Sequence, residues 1–215
     1  MFPIGDQNPR RIVPWVTYSI LVINFVFFFF ELTQGEAFII RWSFVAQRFL
    51  ANPLGDFFTL FTSMFMHAGW LHILGNMLYL WIFGDNVEDT FGHLKFLLFY
   101  LICGFAATFA QMSVDINSDI PSLGASGAIA GVLGAYIFIF PRARVRVLMG
   151  LYIIPVPALI VIGLWIVLQF FYGVGSLGSA TEGGVAYMAH IGGFFAGLIL
   201  APLFRLGGNK RALLK

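Results

Sequence analysis

Charged residues divide this sequence into long uncharged stretches. A helix that crosses the hydrocarbon core of a bilayer needs about 20 mainly apolar residues. The uncharged stretches cover residues 12–30, 57–84, 96–114, 120–141, 147–181 and 183–204. The pattern predicts an all-α polytopic membrane protein with six transmembrane helices.

Two of these stretches are too long for one helix. The second contains the segment His67-Ala-Gly69, so we expect a surface segment as far as about residue 68 and a helix after it. In the fifth, Pro155 and Pro157 suit a helix start. We therefore expect a span over residues 156–172, followed by a flexible Gly/Ser-rich loop over residues 173–184.

Composition supports lipid as the surroundings of the chain. Of its 215 residues, 60% are hydrophobic and 10% are charged, whereas about 25% are charged in a typical soluble domain. A net charge of +2 gives no reason to expect nucleic acid as a partner. The single cysteine, Cys103, excludes an internal disulfide.

Basic residues predict the orientation, because Lys and Arg gather on the cytoplasmic side. With the N-terminus inside, only Arg41 and Arg48 lie outside. The inside residues are Arg10, Arg11, Lys95, Arg142, Arg144, Arg146, Arg205, Lys210, Arg211 and Lys215. We expect cytoplasmic tails at 1–11 and 205–215 around a membrane domain at 12–204. The tails show no organelle-targeting peptide, which favours a bacterial or archaeal plasma membrane.

Four polar residues stand out within the predicted spans, where polar groups are costly and often functional. They are His72, Asn76, Ser126 and His190. Measured from the cytoplasmic end of its helix, each of the two histidines and the serine lies at a height of roughly 20 to 24 Å. Asn76 lies one turn below His72 on the same helix face. The second, fourth and sixth helices thus carry polar groups at one depth.

Small residues would let two of these helices approach closely. Gly127 and Gly131 form one small-xxx-small pair, and Gly193 and Gly197 form another. Gly124 comes just before Ser126. We expect these glycines to allow the fourth and sixth helices to bring Ser126 and His190 together.

The combination is typical of nucleophilic catalysis. A serine hydroxyl becomes an effective nucleophile when a neutral histidine takes its proton, so Ser126 is the candidate nucleophile and His190 the candidate base. No Asp or Glu lies at this depth, which indicates a dyad. The backbone N–H groups at the start of the fourth helix, with His72 and Asn76, are candidate donors to an oxyanion.

Structural interpretations of the same residues stay open. A lone serine in a membrane helix often bonds its own backbone, and a lone histidine can be a packed polar link. Bound haem or metal is disfavoured, because His67 and His72 point to different faces and His93 lies in a cytoplasmic loop, where it is expected to be solvated. We expect no metal and no cofactor.

The motifs together resemble the rhomboid family of intramembrane serine proteases over residues 12–204. They are G-x-S-G at Gly124 to Gly127, A-H-x-x-G-x-x-x-G from Ala189 to Gly197, and H-x-x-x-N at His72 and Asn76, with Gly84 and Glu88 at the inner end of the second helix. The resemblance implies a six-helix core in which Ser126 attacks a peptide bond and His190 acts as base and then acid. It also implies that the Ser126 amide, His72 and Asn76 bind the oxyanion.

Two departures from some family members concern the surroundings of the site. Phe58 and Thr59 stand where some members have a Trp-Arg pair, and Ala130 stands where some have a tyrosine that packs on the catalytic histidine. The second departure leaves open how the His190 ring is held.

The resemblance implies cleavage of transmembrane protein substrates at a site that opens to the extracytoplasmic side. The loop over residues 173–184 would cap the site, and the fifth helix would be a lateral gate for substrates. A catalytically silent rhomboid-like binder of membrane proteins and a transporter are the alternatives. The sequence leaves the oligomeric state open.

Overall fold

The computed structural model describes residues 2–176 and 185–206, and helices dominate this part of the chain. The long helices are α1 (Trp15–Gln34), α6 (Trp70–Phe91), α7 (His93–Met112), α8 (Ser126–Ile139), α9 (Ala158–Ser176) and α10 (Tyr187–Arg205). Short helices in the first connection are α2 (Glu36–Trp42), α3 (Ala46–Ala51), α4 (Pro53–Asp56) and α5 (Thr59–Thr62), followed by a 3-10 turn at Ser63–Phe65. Each of the six uncharged stretches therefore contains a long helix.

Four of the long helices, α1, α7, α9 and α10, have the length and apolar composition needed to cross a bilayer. A fifth span is possible if Pro53–Phe65 and α6, which meet at an angle of 79°, act as one broken span. Helix α8 has 14 residues and is about 21 Å long, which is short for a bilayer core of about 30 Å. The described residues thus support four to five spans by length, and six spans with both termini cytoplasmic stay a prediction.

Helix α8 lies at the centre of the bundle. All its residues from Gly127 to Tyr136 are buried, as expected for a helix that is apolar on every face. It packs on α6, α7 and α10. The first residue of this enclosed helix is Ser126.

Glycines make the contact between α8 and α10 a backbone contact. A Cβ atom added at Gly193 would lie 2.0 Å from the Gly127 carbonyl oxygen. One added at Gly197 would lie 2.0 Å from the Gly131 carbonyl oxygen. The two glycine pairs of the sequence thus face each other across this contact.

The first connection is a folded helical segment. Its Arg48 side chain donates to Asp56 and to the carbonyl oxygens of Ile40 and Ser43. The predicted start of the next helix near residue 68 agrees with the start of α6 at Trp70.

A three-stranded antiparallel sheet, which the all-α prediction lacked, closes one end of the bundle. Strand β1 (Phe2–Asp6) pairs with β2 (Arg144–Met149), and β2 pairs with β3 (Tyr152–Pro157). Gly150, with φ +60°, stands in the turn between β2 and β3. The predicted N-terminal tail therefore contains a strand. We call this end the sheet end.

Pro155 and Pro157 lie in β3 and do not begin the helix. β3 is an edge strand, where proline is tolerated because no partner needs its N–H. Helix α9 consequently starts at Ala158 and runs through Ser176, so the start of the predicted Gly/Ser-rich loop is helical. The rest of that loop, residues 177–184, lies outside the described residues.

Glu88 joins two helices near the sheet end. Its side chain is fully buried and accepts hydrogen bonds from the backbone N–H groups of Val16 and Thr17 and from the Thr17 hydroxyl. These groups belong to the first turn of α1, whose N–H groups have no partner within the helix. His93 Nδ1 also contacts Glu88 Oε1, at 2.5 Å, so the expectation that His93 is merely solvated was wrong.

Candidate active site

Ser126 and His190 are in hydrogen-bond contact. The distance between Ser126 Oγ and His190 Nε2 is 2.8 Å. Ser126 is the first residue of α8, and His190 lies in the first turn of α10, next to the glycine contact. The close approach of the two helix backbones therefore places the hydroxyl beside the imidazole.

The start of α8 offers backbone N–H groups near the Ser126 hydroxyl. In the first turn of a helix these groups lack a carbonyl partner four residues earlier, and the helix dipole is positive there. Helix α8 begins two residues after Gly124. Gly124 has φ +131° and donates its N–H to the Ser63 carbonyl oxygen at 2.8 Å. That φ favours glycine, so Gly124 allows the sharp entry of the chain into α8.

His72 lies beside this entry. A Cβ atom added at Gly124 would lie 2.9 Å from His72 Nε2 and 3.6 Å from Ser126 Oγ, so glycine keeps the space between the two side chains free. The backbone N–H of Ala68 donates to His72 Nδ1 at 3.3 Å. Because Nδ1 accepts, the ring proton lies on Nε2, the nitrogen that faces Gly124.

Asn76 lies one turn further along α6. It is buried, and within the described part of the chain its Nδ2 has no hydrogen-bond partner. Buried amide groups are normally paired. Asn76 therefore has a donor available on the same helix as His72.

Two residues of α9 that the sequence analysis did not single out hold the His190 ring. Gln169 Oε1 lies 2.7 Å from His190 Nδ1. The Trp165 ring centroid lies 5.6 Å from that of His190, with the ring planes 39° apart. Ala130 is buried on α8, so the support that some family members draw from this position comes here from α9. The sequence signal for Gln169 was a polar residue within an otherwise apolar helix.

A further contact fixes the start of α10. The backbone N–H of Ala189 donates to Gln111 Oε1, on α7, at 3.2 Å. This N–H belongs to the first helical turn, where an external acceptor is needed. The residue before His190 is thus tied to a third helix.

Within residues 2–176 and 185–206, no group of three or more His, Cys, Asp or Glu side chains is arranged to hold a metal ion. The chemistry available in the site is that of a hydroxyl, an imidazole, amides and backbone N–H groups. This set serves acyl transfer, in which a hydroxyl attacks a carbonyl carbon and N–H donors bind the oxyanion.

Four to five helices have the length and composition of membrane spans, and a serine hydroxyl contacts an imidazole between α8 and α10. Together they indicate a multi-pass membrane protein with a candidate hydrolytic site. The family model of the rhomboid domain matches residues 54–206. The chain therefore belongs to the rhomboid family.

Curated relatives come from bacteria, yeast and plants. The chain is 28% identical over 204 residues to the mitochondrial Rhomboid protein 1 of Saccharomyces cerevisiae, covering 92% of this chain and 54% of the yeast protein. It is 31% identical over 193 residues to the rhomboid protease GluP of Bacillus subtilis, covering 87% of this chain and 35% of GluP. It is 31% identical over 146 residues to RHOMBOID-like protein 5 of Arabidopsis thaliana, covering 68% of this chain and 43% of that protein.

These relatives support an integral, multi-pass membrane protein. The chain spans about half the length of the yeast relative and about a third of GluP. Because the relatives include mitochondrial and plant proteins, they do not support the expectation of a bacterial or archaeal plasma membrane.

Proposed function

We propose that this chain is an intramembrane serine endopeptidase that hydrolyses peptide bonds in or near the transmembrane segments of membrane-protein substrates. The 2.8 Å contact between Ser126 Oγ and His190 Nε2 is the observation that carries the proposal. The names of relatives such as the rhomboid protease GluP support it. Membrane domain boundaries at 12–204 belong to the same proposal, and the family match at 54–206 overlaps all of this range from residue 54 onwards.

The reaction would proceed through an acyl-enzyme. His190 Nε2 takes the proton of Ser126 as Oγ attacks the substrate carbonyl carbon, and a tetrahedral intermediate forms. The protonated imidazole then gives this proton to the leaving amine as the peptide C–N bond breaks. A water molecule, activated by His190 in turn, hydrolyses the acyl-serine ester and restores the enzyme.

The oxyanion of the tetrahedral intermediate would be bound by three donors. They are the Ser126 backbone N–H, His72 Nε2–H and Asn76 Nδ2. The proton position on His72 and the unpaired amide of Asn76 support these roles. Loss of one such donor typically costs about 10² to 10³ in rate.

Substrates are proposed to enter from the lipid beside α9. Its outer face is apolar and exposed, at residues such as Phe171 and Val174. The site is proposed to open to the extracytoplasmic side, opposite the sheet end.

Labelling of the purified full-length chain with a fluorophosphonate tests the nucleophile. Wild-type protein should form an adduct at Ser126, and S126A and H190A should not. The matched control is S113A, because the exposed Ser113 hydroxyl donates to the local Ala110 carbonyl oxygen. This variant should leave labelling intact. The same samples are then incubated with a transmembrane model substrate.

The outcomes separate the candidate functions. Adduct formation and substrate cleavage, both lost in S126A, support the protease. Cleavage that survives S126A refutes the mechanism. A folded wild-type protein that binds the substrate without an adduct or cleavage would be a silent binder, and one that moves solutes across a vesicle membrane would be a transporter.

A further inference from the structure

Gln169 contacts the side of the His190 ring that faces away from Ser126. Its amide oxygen Oε1 lies 2.7 Å from His190 Nδ1, while Nε2 of the same ring lies 2.8 Å from Ser126 Oγ. We infer that Gln169 is a positioning residue for the proposed protease, which holds His190 in the tautomer that can act as base. The inference rests on the proposed function and replaces the expected dyad with a Ser126–His190–Gln169 arrangement.

The tautomer follows from the direction of the hydrogen bond. An amide oxygen only accepts, so the bond to Oε1 requires the proton on His190 Nδ1. Nε2 then carries a free electron pair directed at the Ser126 hydroxyl. In the other tautomer Nε2 would carry the proton and could not remove one from Ser126.

A second contact fixes which end of the Gln169 amide faces the ring. Gln169 Nε2 lies 3.4 Å from the backbone carbonyl oxygen of Trp165, one turn earlier on α9. A reversed amide would bring two oxygen acceptors face to face at this point and would point its NH₂ group at His190 Nδ1. The orientation with Oε1 towards His190 satisfies both ends.

Surrounding packing restricts the arrangement to one geometry. Gln169 is buried, with 8% of its surface exposed, and the Trp165 ring lies against the imidazole. Rotation of the imidazole about its Cβ–Cγ bond would break both contacts to its nitrogens. Two α9 side chains one turn apart thus contact the ring, Gln169 at Nδ1 and Trp165 through its own ring.

A neutral amide suits this depth of the protein better than a carboxylate. A buried carboxylate needs strong compensation for its lost hydration, whereas an amide needs only its hydrogen bonds. When His190 takes the serine proton, Gln169 Oε1 continues to accept from Nδ1–H and stabilises the charged ring by its dipole. Cysteine proteases with a Cys-His-Asn arrangement likewise use a neutral amide as the third group.

The first test compares cleavage kinetics of full-length variants in detergent micelles. Q169L keeps the approximate size of the side chain and removes the acceptor, and Q169E restores an acceptor oxygen. V167A changes a lipid-exposed position of the same helix and is the matched control. We expect Q169L to lower kcat at least about tenfold with little change in KM. Q169E should recover part of this loss through its acceptor oxygen, and V167A should keep the wild-type kcat.

The second test reads the tautomer directly by nitrogen NMR of protein labelled with ¹⁵N-histidine, with the His190 signals assigned from H190A. In wild-type protein we expect a protonated Nδ1 and an unprotonated Nε2. In Q169L we expect a mixture of tautomers. A merely structural role of Gln169 would leave the tautomer unchanged.

Either of two results would overturn the inference. One is a wild-type His190 with its proton on Nε2, and the other is an unchanged kcat in Q169L. If Q169L fails to fold, the wild-type spectrum still decides. If wild-type protein forms no fluorophosphonate adduct, the proposed protease function fails. The NMR spectrum does not depend on adduct formation, so the two failures are distinguishable.

Discussion

The glycine contact between α8 and α10 leaves no room for a methyl group, so G193A and G197A should move the two helices apart. In each variant the added Cβ would lie 2.0 Å from a backbone carbonyl oxygen of α8. Ordinary contact begins near 3.4 Å, and a backbone oxygen cannot rotate away as a flexible side chain can. Each alanine therefore requires a separation of roughly 1 to 1.4 Å, with an overpacking cost of about 1–3 kcal/mol.

The same separation acts on the Ser126–His190 contact, because the two residues flank this part of the interface. Lengthening their 2.8 Å contact by roughly 1 Å takes it beyond hydrogen-bond distance. A displacement of this size can lower the rate about 10²-fold. We expect both variants to lose most of their fluorophosphonate labelling rate and to unfold at a lower temperature in detergent.

Gly163 on α9 and Gly75 on α6 provide matched controls. A Cβ added at either position meets no atom within 4 Å, so G163A and G75A should label like wild type. Their stability should be unchanged or slightly higher, because alanine favours a helix over glycine by about 1 kcal/mol. Labelling rates and unfolding temperatures of G193A and G197A that match those of the two controls would refute the close-contact reasoning.

Two further predictions concern the sheet end. Burial raises the pKa of Asp6 from 3.8 to about 6 against the lowering effect of the Tyr136 hydroxyl bond, so the folded chain binds this proton more tightly than the unfolded chain. Binding of this proton stabilises the fold fully below pH 3.8, and this stabilisation is lost as the pH rises through 6. D6N should therefore unfold at a higher temperature than wild type at about pH 8 and at the same temperature at about pH 4. An equal difference at both pH values would contradict this. E88A leaves three donors of α1 without their buried acceptor and should lower the free energy of unfolding by about 3 kcal/mol or more. T17V removes one of these bonds and should cost about 1 kcal/mol, and equal losses in the two variants, measured by denaturant unfolding, would contradict the assigned role of Glu88.

The depth of the candidate site could be predicted from the sequence, because residue number along a helix gives distance along its axis. Charges mark the ends of the uncharged stretches, and a rise of 1.5 Å per residue puts Ser126 and His190 at the same height. The glycines beside them indicate where two helices can approach. Both signals are local, so one sequence sufficed to place the two residues in one layer.

The sequence did not show which face of α9 points towards the candidate site, and this is why Gln169 was missed. The predicted span began at residue 156 because two prolines resembled a helix start, and no charge near its other end gave a reference for depth. Strand β2 did carry a signal, because buried Val145 and Val147 alternate with exposed Arg144 and Arg146. Such alternation is typical of a strand. Reading that alternation would have placed the prolines in the neighbouring strand.

Support of the His190 ring comes from α9 and not from position 130 of α8. Gly127 and Gly131 let the backbone of α10 lie directly on α8, and between them Ala130 is buried. Alanine has no ring that could pack on the His190 imidazole. Gln169 and Trp165 contact the imidazole from α9 instead. The small residue at 130 and the two α9 side chains together explain why the His190 ring is contacted from α9.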